Sequence, residues 1–348
     1  MTKRRIWLLV ICGLIVLSTV FFTIYDNVKA KNNPNSVEDD APLKVVCTIF
    51  PEYDWAKNII GEQAIDQVEL SMIVKNGVDL HSFQPSTADI LEISTADVFI
   101  YVGGVSDNWV TDVLKNVKNK DMIVVNLMDV LGDRVVVKET VEGMEAHQHD
   151  HEELETDFSN IEFKDTHNEV VYDEHVWLSL ENAKVCCTAI AKELALARPK
   201  LGHVFSKNCS NYIYNMTTMS NDFAKEVENF SSKTLIFCDR FPFRYLLEDY
   251  GLEYYAAFSG CSAESEASFE TIAFLSHKVQ ELNARAVCVI DNSDKKIART
   301  VISNANRPDT KIATLDSMQS TTLDDAKNGK TYLDTMYRNL RSIQAVLK

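Results

Sequence analysis

Two short stretches of this 348-residue chain place a histidine where its neighbours would fix it. The first is Gly77-Val-Asp-Leu-His81-Ser-Phe-Gln-Pro85, which follows an apolar, strand-like run ending near Val74. Gly77 permits an unusual backbone turn, and Pro85 suits the first turn of the helix that follows. His81 is thereby held on a loop at the carboxyl end of a strand, with Asp79 placed to orient its ring. The second is Tyr172-Asp-Glu-His175-Val-Trp177-Leu-Ser, just ahead of a helical stretch. Trp177 stands behind the imidazole, and Asp173 and Glu174 offer negative charge beside it. A neutral imidazole so held is a metal ligand by type, while an ordinary loop histidine is the plain alternative. Either stretch taken alone is compatible with both.

A third group of histidines has a different character. His147-Gln-His149-Asp-His151 lies within residues 138–168, an acidic stretch with few large apolar side chains. Such composition reads as a surface loop that cannot bury enough to pack. Its imidazoles would bind a borderline cation such as zinc weakly and raise its local concentration; a merely solvated polar loop is the other reading. The eight cysteines are scattered, two are adjacent (Cys186, Cys187), and no CxxC occurs. The spacing therefore predicts small buried side chains rather than a disulfide framework or a cysteine zinc site. The formal charge of −16 argues against nucleic acid, whose phosphates demand a basic surface.

The elements that must position these residues follow a regular order. Lys3, Arg4 and Arg5 precede an uncharged apolar run from Ile6 to Tyr25, and roughly 20 such residues can span a bilayer. Basic residues at that end keep it cytoplasmic and put the rest of the chain outside. Residues 1–25 thus read as an anchor or a cleaved signal, with Val28-Lys29-Ala30 offering a cleavage pattern, and 26–43 as a linker. From Lys44 onward strand-like and helical runs alternate, which predicts α/β lobes with mainly parallel sheets flanked by helices. Residues 44–200 form the first lobe, including the loop 138–168. A long helix follows over 201–230, and a second lobe over 231–348. The helix, about 40 Å long at ~1.5 Å per residue, is suited to run between two lobes. Val45-Val-Cys-Thr-Ile-Phe-Pro51 is echoed by Leu235-Ile-Phe-Cys-Asp-Arg-Phe-Pro242, each ahead of an aromatic helix. Ligands of open α/β sheets sit beyond the carboxyl ends of the strands, so a cleft between the lobes is the expected site.

Taken together, the two histidine stretches resemble the metal-binding solute receptors of bacterial ATP-driven zinc and manganese uptake systems. The resemblance extends over nearly the whole chain after the linker, through Ile49-Phe-Pro51, Gly103-Gly-Val-Ser-Asp-Asn-Trp109 and Tyr250-Gly-Leu252. It implies two α/β lobes on one rigid helix, with His81 and His175 as the first-lobe ligands. It also implies a third ligand, His or Glu, just after the first strand of the second lobe, and an acid after the penultimate strand. Here the chain departs from the pattern. The third place reads Phe237-Cys238-Asp239-Arg240-Phe241-Pro242, with no histidine. Asp239 is the first choice there and Cys238 the second; a third possibility is that Arg240 fills the place and the site is built differently. Asp294 is the choice for the fourth ligand, with Asp291 the alternative.

The resulting expectation is a monomeric extracytoplasmic receptor that captures Zn2+ between its lobes and delivers it to an ABC transporter permease. It would be membrane-attached, or secreted after signal cleavage. A manganese or iron receptor (Mn2+, Fe2+) of the same family is the nearest alternative. An adhesin, or a zinc-dependent hydrolase with Glu174 as general base, represents a different class. No HExxH, nucleophile elbow or phosphate loop supports an enzyme.

Overall fold

Two four-stranded parallel sheets with the same strand order carry this protein. The structure, a computed structural model, describes residues 41–145, 170–260 and 266–348. The apolar N-terminal run and the histidines at 147, 149 and 151 lie outside the described residues. Among the described residues, no helix is long and apolar enough to cross a membrane.

The first sheet runs β2-β1-β3-β4, with β1 Leu43–Cys47, β2 Val68–Met72, β3 Val98–Tyr101 and β4 Ile123–Asn126. The second runs β6-β5-β7-β8, with β5 Thr234–Phe241, β6 Glu253–Ser259, β7 Ala286–Ile290 and β8 Lys311–Leu315. All neighbours are parallel. The central strands are covered on both faces, and so read as nearly unbroken apolar runs; every residue of β7 is buried.

Helices fill the crossovers: α1 Phe50–Ile60, α2 Thr87–Ser94, α3 Asn108–Lys115 and α4 Leu127–Leu131 in the first lobe. After them come α5 Leu180–Ala197 and the long α6 Gly202–Glu228. The second lobe adds α7 Arg244–Asp249, α8 Phe269–Glu281, α9 Lys296–Asn304, α10 Leu323–Lys327 and α11 Tyr332–Leu347. The buried face of α6 is Phe205, Cys209, Tyr212, Met216, Met219, Phe223 and Val227, a three-and-four spacing that makes one apolar stripe. That stripe packs on α1 and α5 of the first lobe and on the C-terminal α11. One hydrophobic cluster therefore runs from Val45 and Trp55 through Phe205 and Phe223 to Phe237 and Tyr332. Two smaller clusters close the outer faces of the sheets.

The stretch at 138–145, expected from composition to belong to a surface loop, packs on the second lobe. Glu139 accepts a hydrogen bond from the Tyr254 hydroxyl at 2.6 Å, and its carboxylate lies 3.2 Å from Arg244 Nε. The Glu145 amide donates to the Ala257 carbonyl at 2.9 Å. Composition missed this because many of the anchoring contacts are polar and come from a lobe a hundred residues away, with Met144 and Val141 adding apolar contacts. The cysteines at 47, 186, 187, 209, 238 and 288 are buried and free.

Candidate metal site

The loops that leave the carboxyl ends of the strands build one polar cluster. After β2, the Asp79 carboxylate accepts the His81 amide at 3.0 Å and starts a short 3-10 turn over Leu80–Ser82. Gly77 has φ +69°, and a Cβ there would stand 2.9 Å from the Ser320 carbonyl, so the turn closes only around a glycine. After β3, Gly104 has φ +78°, and a side chain there would meet Glu174 Oε2 at 2.6 Å. This lets the Ser106 amide reach Glu174 Oε2 at 3.0 Å and its hydroxyl donate to Glu174 Oε1 at 2.5 Å.

Both imidazoles are fixed from behind by carboxylates. His81 Nδ1 lies 3.0 Å from Glu174 Oε1 and 2.5 Å from Ser106 Oγ. His175 Nδ1 lies 2.7 Å from Asp173 Oδ1, which also accepts the His175 amide at 2.9 Å. Burial alone would raise the Glu174 carboxyl; the hydrogen bond of His81, the charge that either imidazole carries when protonated, and the Ser106 hydroxyl outweigh it and hold it far below the usual range. Burial likewise opposes ionisation of Asp173, and its contacts with His175 reverse the balance. In a neutral ring the Nδ1–H of His175 goes to Asp173, and that of His81 to Ser106 Oγ with Glu174 beside it, which leaves each Nε2 a lone pair. The two Nε2 atoms face each other at 3.3 Å. His175 is fully buried, with its ring edge-on to Trp177 at 5.3 Å between centroids.

From the second lobe the group that meets this pair is Gln319, on the turn after β8. Its side-chain nitrogen lies 2.8 Å from each of His81 Nε2 and His175 Nε2. The turn is stapled by Asp291, which accepts the Ser317 amide and hydroxyl on Oδ1 at 2.7 and 2.9 Å and the Ser320 hydroxyl on Oδ2 at 2.8 Å. Met318 sits in the left-handed region with φ +64°, and the Trp177 indole donates to the Ser317 carbonyl at 2.9 Å. The turn is thus held from both lobes at once.

The second-lobe residues expected from the sequence are engaged elsewhere. Asp239 takes hydrogen bonds from the Ser293 side chain and the Arg240 and Ile290 backbone, and burial pushes its carboxyl up. Asp294 is out in solvent, 2.9 Å from Lys296. Cys238 is buried in the outer cluster of the second sheet, where burial pushes its thiol well up and disfavours the thiolate. Asp291 serves the Gln319 turn. Arg240 donates to Asp79 at 2.8 Å, so a guanidinium from the second lobe clasps the loop that carries His81. Among the described residues, no three His, Cys, Asp or Glu side chains converge to hold an ion. Gln319 was missed because an amide is a minor ligand type and Ser-Met-Gln-Ser carries no motif; the only local signal was a polar turn beyond the carboxyl end of a strand.

Known proteins share this architecture. Zinc-binding protein AdcA of Streptococcus pyogenes serotype M3 is 28% identical over 305 residues, covering 88% of this chain and 56% of the relative. The chain thus spans about half the length of such relatives. The high-affinity zinc uptake system protein ZnuA of Bacillus subtilis is 24% identical, covering 95% of this chain and 96% of the relative. Among solved structures, Zn(II)-bound AdcA from Streptococcus pneumoniae superposes with a TM-score of 0.66 at 23% identity, covering 88% of this chain and 58% of that one. A mutant of the laminin-binding adhesin Lmb from Streptococcus agalactiae reaches 0.69 at 24% identity, covering 88% and 100%. The family model described as ZnuA, zinc-uptake complex component A, periplasmic, matches residues 45–346, which takes in both lobes and every loop of the histidine cluster, and the chain belongs to that family.

Proposed function

We propose that this chain is the extracytoplasmic receptor of a metal-uptake system, capturing Zn2+ on His81 and His175 and passing it to an ABC permease. The observation that carries this reading is the paired imidazole geometry. Two nitrogens bound ~2.0–2.1 Å from a tetrahedral zinc stand about 3.3 Å apart. The two Nε2 atoms already stand at 3.3 Å, with both rings locked by carboxylates behind them. The two rings therefore need little reorganisation to receive the ion. Imidazole donors favour zinc over manganese, which prefers oxygen-rich shells. The same preference gives His147, His149 and His151 a metal-gathering role. The family and the zinc-related names of its members support the reading, and the apolar N-terminal run fits a receptor held at the outer face of a membrane.

Thermal unfolding of the chain with and without Zn2+ tests this. At a free concentration 100 times Kd, binding to the folded state alone adds about 2.7 kcal/mol of stability. The melting temperature should rise with zinc, His81→Ala should lose the rise, and deletion of residues 145–153 should keep the tight event. Absence of any rise in the unaltered chain would sink the proposal.

A further inference from the structure

We propose that Gln319 is a two-state contact for the cargo: an N–H donor that clamps the empty site and, with its amide turned over, a carbonyl ligand in the loaded one. This rests on the zinc-capture reading. The argument begins with the lone pairs. With neutral rings, His175 gives its Nδ1–H to Asp173 and His81 gives its own to Ser106 Oγ beside Glu174, so two acceptors face each other at 3.3 Å. Left alone, such a buried pair is unfavourable, because both lone pairs lose water without gaining a donor. The primary amide of Gln319 resolves it by giving one of its two N–H groups to each Nε2, at 2.8 Å. That demand fixes which way the amide faces, since its oxygen would add a third acceptor.

A cation reverses the demand. The amide nitrogen has no lone pair to offer and directs two positive hydrogens at the ion's position. Nor is its spacing that of a co-ligand: neighbouring donors on a tetrahedral zinc stand about 3.3 Å apart, whereas 2.8 Å is hydrogen-bond distance. A half-turn about the terminal bond of the side chain exchanges nitrogen for oxygen in nearly the same volume. A small outward movement then gives a neutral oxygen donor. The hinge for it is present: the backbone of the turn is pinned by Asp291 and by the Trp177 indole, so the side-chain amide moves while its carrier stays. The proton and electron inventory is unchanged; two hydrogen bonds are exchanged for one metal–oxygen bond.

The loaded site on this account has three neutral protein donors, two nitrogens and one oxygen, and no carboxylate bound directly to the ion. The charge of the ion is met by Asp173 and Glu174 behind the rings. A fourth position stays open to water or a small anion, which makes the cargo exchangeable.

The test compares the full chain with Gln319→Glu and Gln319→Leu, using zinc alone. Gln319→Glu keeps the shape but sets an acceptor against two acceptors, so the metal-free melting temperature should fall while zinc affinity rises tenfold or more. Gln319→Leu can neither clamp nor ligate, and its zinc affinity should fall about tenfold. In the unaltered chain, nitrogen-15 NMR should show coupling between the Gln319 side-chain nitrogen and the histidine Nε2 atoms, lost on adding zinc. A purely structural glutamine would move melting temperature and affinity the same way in both variants. If the chain binds zinc and Gln319→Leu binds it equally well, or the coupling persists in the loaded form, this inference is wrong while the histidine site stands. If the unaltered chain binds no zinc, both fall together.

Discussion

The two lobes share one sheet plan, β2-β1-β3-β4 against β6-β5-β7-β8, yet their carboxyl ends have opposite chemical character. The first lobe presents imidazoles backed by ionised carboxylates. The second presents a neutral amide and a guanidinium already paired with Asp79. The plan of a sheet thus decides where side chains converge and leaves open what they are. Here the paired imidazoles and the carboxylates behind them are on one side, and the other side holds the loop of His81 in place through Arg240.

The largest expected effect tests that asymmetry directly. His175→Ala should abolish the zinc-dependent rise in melting temperature. It should also cost about 3 kcal/mol in the metal-free protein, measured by urea unfolding, because the buried Asp173 carboxylate loses its partner. Loss of binding without loss of stability would show that Asp173 is not held by this ring.

Next in size is a difference in pH response between the lobes. Burial pushes the Asp107 carboxyl of the first lobe up to about 7, and that of Asp249, on α7, up to about 6. Both are raised above the unfolded value, so both favour folding at low pH. The contribution is complete below about 3.9 and is lost as pH rises through the folded value. Asp107→Asn should therefore gain stability relative to the unaltered chain from pH 4 up to about 7. Asp249→Asn should stop gaining near 6. Melting curves at pH 4, 5, 6, 7 and 8 check both, and identical profiles would erase the contrast.

Glycine substitutions probe the same cleft from its two walls. Gly104→Ala forces a strained φ and pushes on Glu174 Oε2, so it should weaken zinc binding about tenfold through His81. Gly260→Ala, from the second lobe, drives a methyl to 2.7 Å from His175 Cε1 and should weaken binding comparably without touching a carboxylate. Isothermal titration of both variants shows whether ring position or carboxylate backing matters more. The smallest effect belongs to the partly exposed Arg240–Asp79 pair. A double-mutant cycle with Arg240→Ala and Asp79→Ala should give a coupling of about 1 kcal/mol or less, shrinking as salt is added.

The first wall of the cleft was legible in the sequence and the second was not, for a physical reason. His81 and His175 are positioned by neighbours within a few residues: Asp79 caps the turn of one, and Asp173 holds the ring of the other. Local spacing records such arrangements. The alternation of strands and helices was equally local, so the parallel lobes and the long helix could be read from it. Gln319 is positioned by Asp291, 28 residues before it, and by Trp177 on the other lobe. Arg240 reaches Asp79 across 161 residues. Contacts of that range leave no period or motif. The choice of Asp239 and Asp294 followed from expecting an anionic ligand, whereas the fold spends those carboxylates on Ser293 and Lys296.

Trp177 gives this arrangement an optical consequence. Its indole touches both sides of the event: the N–H bonds the Ser317 carbonyl, two residues before Gln319, and the ring lies edge-on to His175. Quenching by a neighbouring imidazole depends on that ring's electronic state, which a bound cation alters. Its emission, isolated by subtracting the spectrum of Trp177→Phe, should accordingly change on adding Zn2+ if the proposed site fills.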